Sequence, residues 1–306
     1  MKTDNPQDKS YSRRILAWSF YDWANHAYIT TTASTFFPPY FIAIAAPAFL
    51  VASKASGDVA AQALARDAAS NVYALSVSLA LFVAAILAPI IGTIADVTGR
   101  RKRFLLIATG AGGVLASLMF FLTTGLWQLA LVLYFLTQIA MNIALGLSSS
   151  LLPHIARADD VNRVSSQGYA MGYIGGGVLL ALNTALFLFS DKLGIDSGLA
   201  VRIAFATVGI WWIGFTIPLA LRVPEPAATP LAHSTTGSPI RDSFIRLGHT
   251  IRDMQQYREL FKMLIAFWFY MEGIGAIILL ATAYGAALGL DTAVLISTLL
   301  LTQFVA

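Results

Sequence analysis

Gly92-Thr93-Ile94-Ala95-Asp96-Val97-Thr98-Gly99-Arg100-Arg101-Lys102-Arg103 is the stretch on which the reading of this chain turns. It joins two apolar stretches and packs two glycines, one acid and a run of cations into a short loop. Gly92 allows close helix contact. Gly99 permits a tight turn. Asp96 falls at the C-terminal end of a helix, where the dipole disfavours an anion. It therefore needs cationic or N–H partners, and such partners can hold one conformation closed. A simpler reading makes Arg100–Arg103 a topology signal alone. The Gly–Asp–Gly–Arg spacing is more than topology requires, which favours gating together with topology.

The chain around this loop suits lipid rather than water. It has 306 residues, 57% hydrophobic and 12% charged, with mean hydropathy +0.70. A soluble domain carries about 25% charged residues. A bilayer core needs about 20 apolar residues per helix. Seven such stretches and part of an eighth are legible, at about 15–50, 72–95, 104–123, 126–147, 167–189, 199–221, 261–288 and 293–306. The first is over-long and is expected to kink or end near Pro38-Pro39. Alternating the loops puts sixteen of the 20 basic residues on one side, leaving Lys54, Arg66, Lys192 and Arg202 on the other. That bias predicts a cytoplasmic N-terminus. Residues 1–11 do not read as a cleaved signal peptide.

The connection 223–260 is much longer than the others. It opens with Pro224-Glu225-Pro226 and continues with Ile240, Phe244, Leu247, Ile251 and Met254 at helical spacing, beside Arg241, Arg246, Arg252 and Arg258. Either a basic amphipathic helix on the anionic leaflet or a solvated linker helix fits. The expected organisation is a six-helix bundle over 1–222, this linker over 223–260, and the start of a second bundle over 261–306. Trp18-x-Phe20-x-Asp22 matches Trp268-x-Tyr270-x-Glu272, as two related halves would. The fifteen residues from Thr292 onward reach about 22 Å. A truncated second bundle lacking about four helices is therefore expected.

Two acids are placed in oil. Asp22 lies about 12 Å inside the membrane if the helix runs on from Arg14, and Glu272 about 15 Å from Lys262. An unpartnered carboxylate there costs several kcal/mol, and such residues usually face a cavity or ion path. Burial disfavours a carboxyl's charged form, which suits proton pickup and release. Asp22, Asn25, His26 and Glu272 are thus the candidate substrate and proton pathway. The alternatives are an interfacial cap for Asp22, a structural hydrogen bond for either acid, and plain packing for His26. Gly168, Gly172 and Gly176, with Gly175 and Gly177, suit close helix packing, and a sliding face is the other option. Trp18, Trp23, Trp127 and Trp268 are read as interfacial anchors. Trp211 and Trp212 fall mid-span.

Several chemistries find no support. The chain has no cysteine and four histidines, none at metal-ligand spacing. Gly110-x-Gly112-Gly113 follows no strand, and no phosphate-binding loop is present. No cofactor, enzymatic activity or nucleic-acid partner is expected. The expected partners are a small-molecule substrate and the lipid bilayer, with the chain as a monomer. A non-transporting sensor or scaffold, or an enzyme acting on a lipid-linked substrate, remain as alternatives.

Gly92, Asp96, Gly99, Arg100 and Arg101 resemble the signature loop of the major facilitator superfamily, with Val97 in place of its usual basic residue. Ala17-Trp18-Ser19-Phe20-Tyr21-Asp22-Trp23-Ala24-Asn25 is similar to the opening of the autophagy-related vacuolar amino-acid effluxers and their bacterial relatives. Ser165–Gly176 and Tyr257–Gly273 fit the same family, with His26 where a small residue is expected and Glu272 where an aspartate is common. The resemblance implies an all-α major facilitator fold in a bacterial inner membrane, alternating access, and amino acids as substrates.

Overall fold

The computed structural model describes residues 6–52, 59–228, 241, 245, 248 and 252–305, without the side chains of residues 6–8, 51, 52, 272, 304 and 305. The regular elements are α1 (Pro6–Ala27), a π-helical segment (Tyr28–Phe36), α2 (Phe37–Ala52), α3 (Val59–Thr98), α4 (Arg101–Leu118), α5 (Trp127–Ile155), α6 (Val161–Leu188), α7 (Ser197–Arg222), α8 (Arg258–Ala287) and α9 (Thr292–Val305). Among the described residues there is no strand. Seven helices are long and apolar enough to cross a membrane, and Thr292–Gln303 is a shorter apolar helix. The chain is an all-α membrane protein. Several helices outrun the apolar stretches that announce them, because their polar ends stay helical beyond the oily window. Most of the basic amphipathic pattern in the linker lies outside the described residues.

The helix does not end at Pro38-Pro39. α1, the π-helical segment and α2 form one uninterrupted helical run. In the π register each N–H reaches back five residues, as the Phe37 N–H does to the Thr32 carbonyl. Pro38 and Pro39 have no N–H to continue that pattern. The carbonyls they would have served are those of Ala33 and Ser34. Both are met from other helices. The Tyr73 hydroxyl on α3 donates to the Ala33 carbonyl at 3.4 Å. The Thr282 hydroxyl on α8 donates to the Ser34 carbonyl at 2.5 Å. Tyr73 also lies 3.1 Å from the Leu279 carbonyl and 3.1 Å from the Tyr134 hydroxyl, so its one proton is shared among these acceptors. A backbone carbonyl in lipid must find a donor within the protein. The prolines therefore weld helices together here instead of ending one.

Aromatic rings and glycines fill the rest of the core. Phe37 stacks on Tyr134 at 4.2 Å between centroids. Trp212 is fully buried and stacks on Tyr28 at 5.4 Å. A Cβ on Gly112 would lie 2.7 Å from the Trp212 ring, so this glycine makes room for the indole. Gly113 and Gly209 let α4 and α7 cross closely, since a Cβ on Gly113 would meet the Gly209 carbonyl at 3.1 Å. Trp211 stacks on Trp23 at 6.0 Å, and its indole N–H donates to the Trp23 carbonyl at 3.4 Å. The mid-span tryptophans are thus core plates. Trp18 departs from the interfacial reading too: it is buried, and its N–H donates to the Ser148 carbonyl at 3.1 Å.

The cations of α1, the α3–α4 loop and the α5–α6 loop gather at one end. Arg157 lies over the Tyr11 ring, and the Tyr11 hydroxyl donates to Asp160 at 2.9 Å. The Lys102 ammonium donates to the Val223 carbonyl at 2.9 Å and the Ala220 carbonyl at 3.2 Å, closing the C-terminus of α7. α8 joins the earlier helices chiefly through α2, α3 and the π-helical segment, at the opposite end. Residues 265–271 of α8 are all exposed except for the undescribed side chains beyond them. Thr282→Val keeps the shape of the side chain but strips the Ser34 carbonyl of its donor. It should destabilise the protein by about 1 kcal/mol. A lowered thermal unfolding midpoint in detergent, relative to the parent, is the check.

Candidate functional site

The separation of α8 from the basic end leaves a cavity of about 560 Å³. Trp18, Asp22, His26 and Thr30 form one wall, followed along the same run by Ser34 and Thr35. Ser149 and Leu152 of α5, and Ser165, Tyr169 and Tyr173 of α6, form the next. Met271 and Ile278 of α8, with Leu299, Thr302 and Gln303 of α9, close it. The Gln303 amide donates to the Tyr173 carbonyl at 3.3 Å.

The positions 18, 22, 26 and 30 share a face because they are one helical turn apart. That face rests on α6, where glycines replace side chains. A Cβ on Gly168 would strike the Asp22 carboxylate, and would lie 2.7 Å from the Trp18 ring. A Cβ on Gly172 would strike the His26 ring. Gly175 lies under Trp23, and Gly176 under Thr30, whose hydroxyl donates to the Gly176 carbonyl at 3.3 Å. The glycine stripe is therefore a seat cut for the polar face of α1.

Asp22 is 9% exposed, and among the described residues no hydrogen-bond donor or cation reaches its carboxylate. His26 Nδ1 is 3.1 Å from the Asp22 backbone carbonyl, and its ring packs beside Tyr169 and Tyr173 with centroids 6.2 and 5.8 Å away. The imidazole in place of a small residue is accommodated by the missing side chain of Gly172. Asn25 goes elsewhere. It is 0% exposed, is not among the residues lining the cavity, and has no partner for its side-chain amide among the described residues. It shares the other face of the helix with Tyr21 and Tyr28, turned into the bundle. Glu272 follows Met271 on α8, but its side chain lies outside the described residues.

The loop at residues 92–103 forms a compact electrostatic knot. Gly99 adopts φ +61°, the turn expected of it, and a Cβ there would press on the backbone of Ala228 at 2.8 Å. Arg101 is buried; its guanidinium pairs with Asp96 and reaches the His154 ring on α5. This is the cationic partner that a carboxylate at a helix C-terminus needs. Arg100 is exposed. Gly92 makes no close helix contact: a Cβ there would meet nothing within 4 Å among the described residues. Sequence reasoning did not assign Tyr169 and Tyr173 to the site, and it read Trp18 as an interfacial anchor rather than as part of the cavity wall. The doublets Gly168-Tyr169 and Gly172-Tyr173, four residues apart, carried the signal, since such spacing puts a glycine seat and a tyrosine rim side by side.

Residues 11–306 match the model of a family described as vacuole effluxer Atg22 like. A Bacillus subtilis relative, the uncharacterized MFS-type transporter YxiO, is 31% identical over 303 residues, covering 97% of this chain and 66% of the relative. Autophagy-related protein 22 of Coccidioides immitis is 27% identical over 122 residues, 38% of this chain and 20% of that protein. Autophagy-related protein 22-1 of Aspergillus niger is 25% identical over 119 residues, 38% and 19% of the two chains. The chain thus spans slightly less than two thirds of the bacterial relative's length. No solved structure matches.

The seat makes a prediction. Gly168→Leu should force α1 away from α6, at a cost of about 1–3 kcal/mol. Gly146→Leu, where a Cβ meets nothing within 4 Å, should be tolerated. Thermal unfolding of both variants in detergent distinguishes a carved seat from a generic small-residue helix.

Proposed function

Because the chain belongs to the Atg22-like vacuole effluxer family, we propose that it forms the translocation pathway of a secondary transporter for small solutes. It lies in a bacterial inner membrane with its N-terminus in the cytoplasm and works by alternating access. Residues 1–222 form the first bundle, 223–260 the linker, and 261–306 the start of the second. Amino acids are the first candidates for the cargo, on the strength of the family resemblance. Protons are the coupling ion, carried by Asp22 and by Glu272 from the equivalent helix of the second half.

One observation carries this reading. A nearly buried carboxylate with no partner among the described residues lines a cavity of about 560 Å³ between α1, α5 and α6 on one side and α8 and α9 on the other. Such a volume suits a small ligand. An acid is costly in oil unless a partner or a passing ligand compensates it. A sensor or scaffold would sooner fill this space, because an apolar core there would be more stable than an uncompensated acid. The Asp96–Arg101–His154 cluster ties the ends of α3, α4 and α5 together at the basic end, which supports a gating role for this loop at the cytoplasmic side.

The test is amino-acid uptake into proteoliposomes with and without an imposed pH gradient. Asp22→Asn should abolish gradient-driven accumulation, because an amide can neither take up nor release the coupling proton. Undiminished pH-driven accumulation in both Asp22→Asn and Glu272→Gln would end the proton-coupling proposal.

A further inference from the structure

The cavity has a chemical polarity that the family assignment does not contain. Its described lining holds one carboxylate, Asp22, and neither lysine nor arginine. Around that carboxylate stand aromatic surfaces. The Trp18 ring shares the Gly168 seat with it, and the His26 ring occupies the next turn. Tyr169 and Tyr173 stand against His26 and are largely exposed to the cavity. A carboxylate beside aromatic faces is the arrangement that receives an organic ammonium group, which gains from both the anion and the ring quadrupoles. Among the described lining residues a ligand carboxylate would find hydroxyl, amide and ring N–H donors, such as Ser165, Tyr169 and Gln303, but no lysine or arginine. Apolar side chains complete the lining, among them Leu145 and Ile278. They suit the hydrocarbon or aromatic body of an amine.

We propose that this site selects its ligand by the ammonium group, with Asp22 as the anchor and Trp18 with Tyr169 as the aromatic wall, and that it does not need a ligand carboxylate. The inference rests on the transporter reading for its biological meaning and adds the class of ligand: amines with an apolar or aromatic body, amino acids being bound through their amino end. Ligand and proton would then compete for the same carboxylate oxygens. The charged ammonium replaces the proton that Asp22 must otherwise hold, so charge at the site is conserved during the exchange. Among the described residues, the other titratable groups facing this cavity are His26, Tyr169 and Tyr173; Tyr21 lies behind Asp22 in the bundle.

The experiment is calorimetric titration of the purified chain in detergent with three ligands of one shape: 2-phenylethylamine, phenylalanine and 3-phenylpropionate. The amine should bind at least as tightly as the amino acid, and 3-phenylpropionate should not compete with either. Asp22→Asn should weaken the amine by about tenfold or more, the loss typical of a charge-assisted contact. Asp22→Glu should retain most of the affinity, and circular dichroism with an unchanged unfolding midpoint shows that both variants fold. Equal binding of 3-phenylpropionate, an Asp22→Asn variant with undiminished amine affinity, or no binding of any of the three would overturn the assignment. Failure of the transporter reading looks different: amine binding would be present and Asp22-dependent, but no ligand would cross the bilayer in proteoliposomes.

Discussion

A carbonyl oxygen inside a bilayer has no water to fall back on, and two consecutive prolines take away the donors that two such oxygens would have had. Everything about the relation of α8 to the earlier helices depends on how that deficit is met. Tyr73 and Thr282 supply the replacements from α3 and α8. Had the chain carried alanines at 38 and 39, the helix would have closed its own ladder and offered nothing to bind. The π-helical register matters for the same reason. It shifts the open acceptors onto Ala33 and Ser34, where neighbouring helices can reach them.

From that weld the site follows. α8 is held to the bundle near Leu279 and Thr282, while its preceding turns stand clear. Two elements fixed at one end and apart at the other enclose a wedge. Asp22 looks into that wedge because its helix face is pressed onto the glycines of α6, which position it as a rigid group. At the wide end the Asp96–Arg101 pair and Lys102 tie α3, α4, α5 and α7 together. The bundle is thereby kept stiff on the side where it lacks support from α8.

Much of this was legible in the chain itself. Apolar stretches gave the spanning helices and the glycines gave their seats, because lipid leaves few other reasons for either pattern. The cost of an acid in oil pointed Asp22 towards a cavity, with an interfacial cap as the alternative, and the structure places it on the cavity wall. What escaped were features set by partners distant in sequence. Pro38-Pro39 reads as a break until donors more than thirty and two hundred residues away are known. Asn25 reads as a companion of Asp22, yet it is fully buried and does not line the cavity: three residues rotate it by about 60°, which carries it past the edge of the cavity into the packed bundle. Gly92 fits the expected spacing but touches no described helix. Trp211 and Trp212 had no explanation until Trp23, Tyr28 and Gly112 were placed beside them.

The glycine seat also imposes an order of events during synthesis. Thr30 and its acceptor at Gly176 are 146 residues apart, so the surface that receives α1 does not exist when α1 leaves the ribosome. At about 5–20 residues per second, the wait is roughly 7–30 s. Throughout it the polar face of α1, with Asp22 and His26, lacks the glycine surface that will cover it. The first spanning segment is thus set in place only after the fifth has been made, and anything that slows elongation between them prolongs the time its polar face stays uncovered.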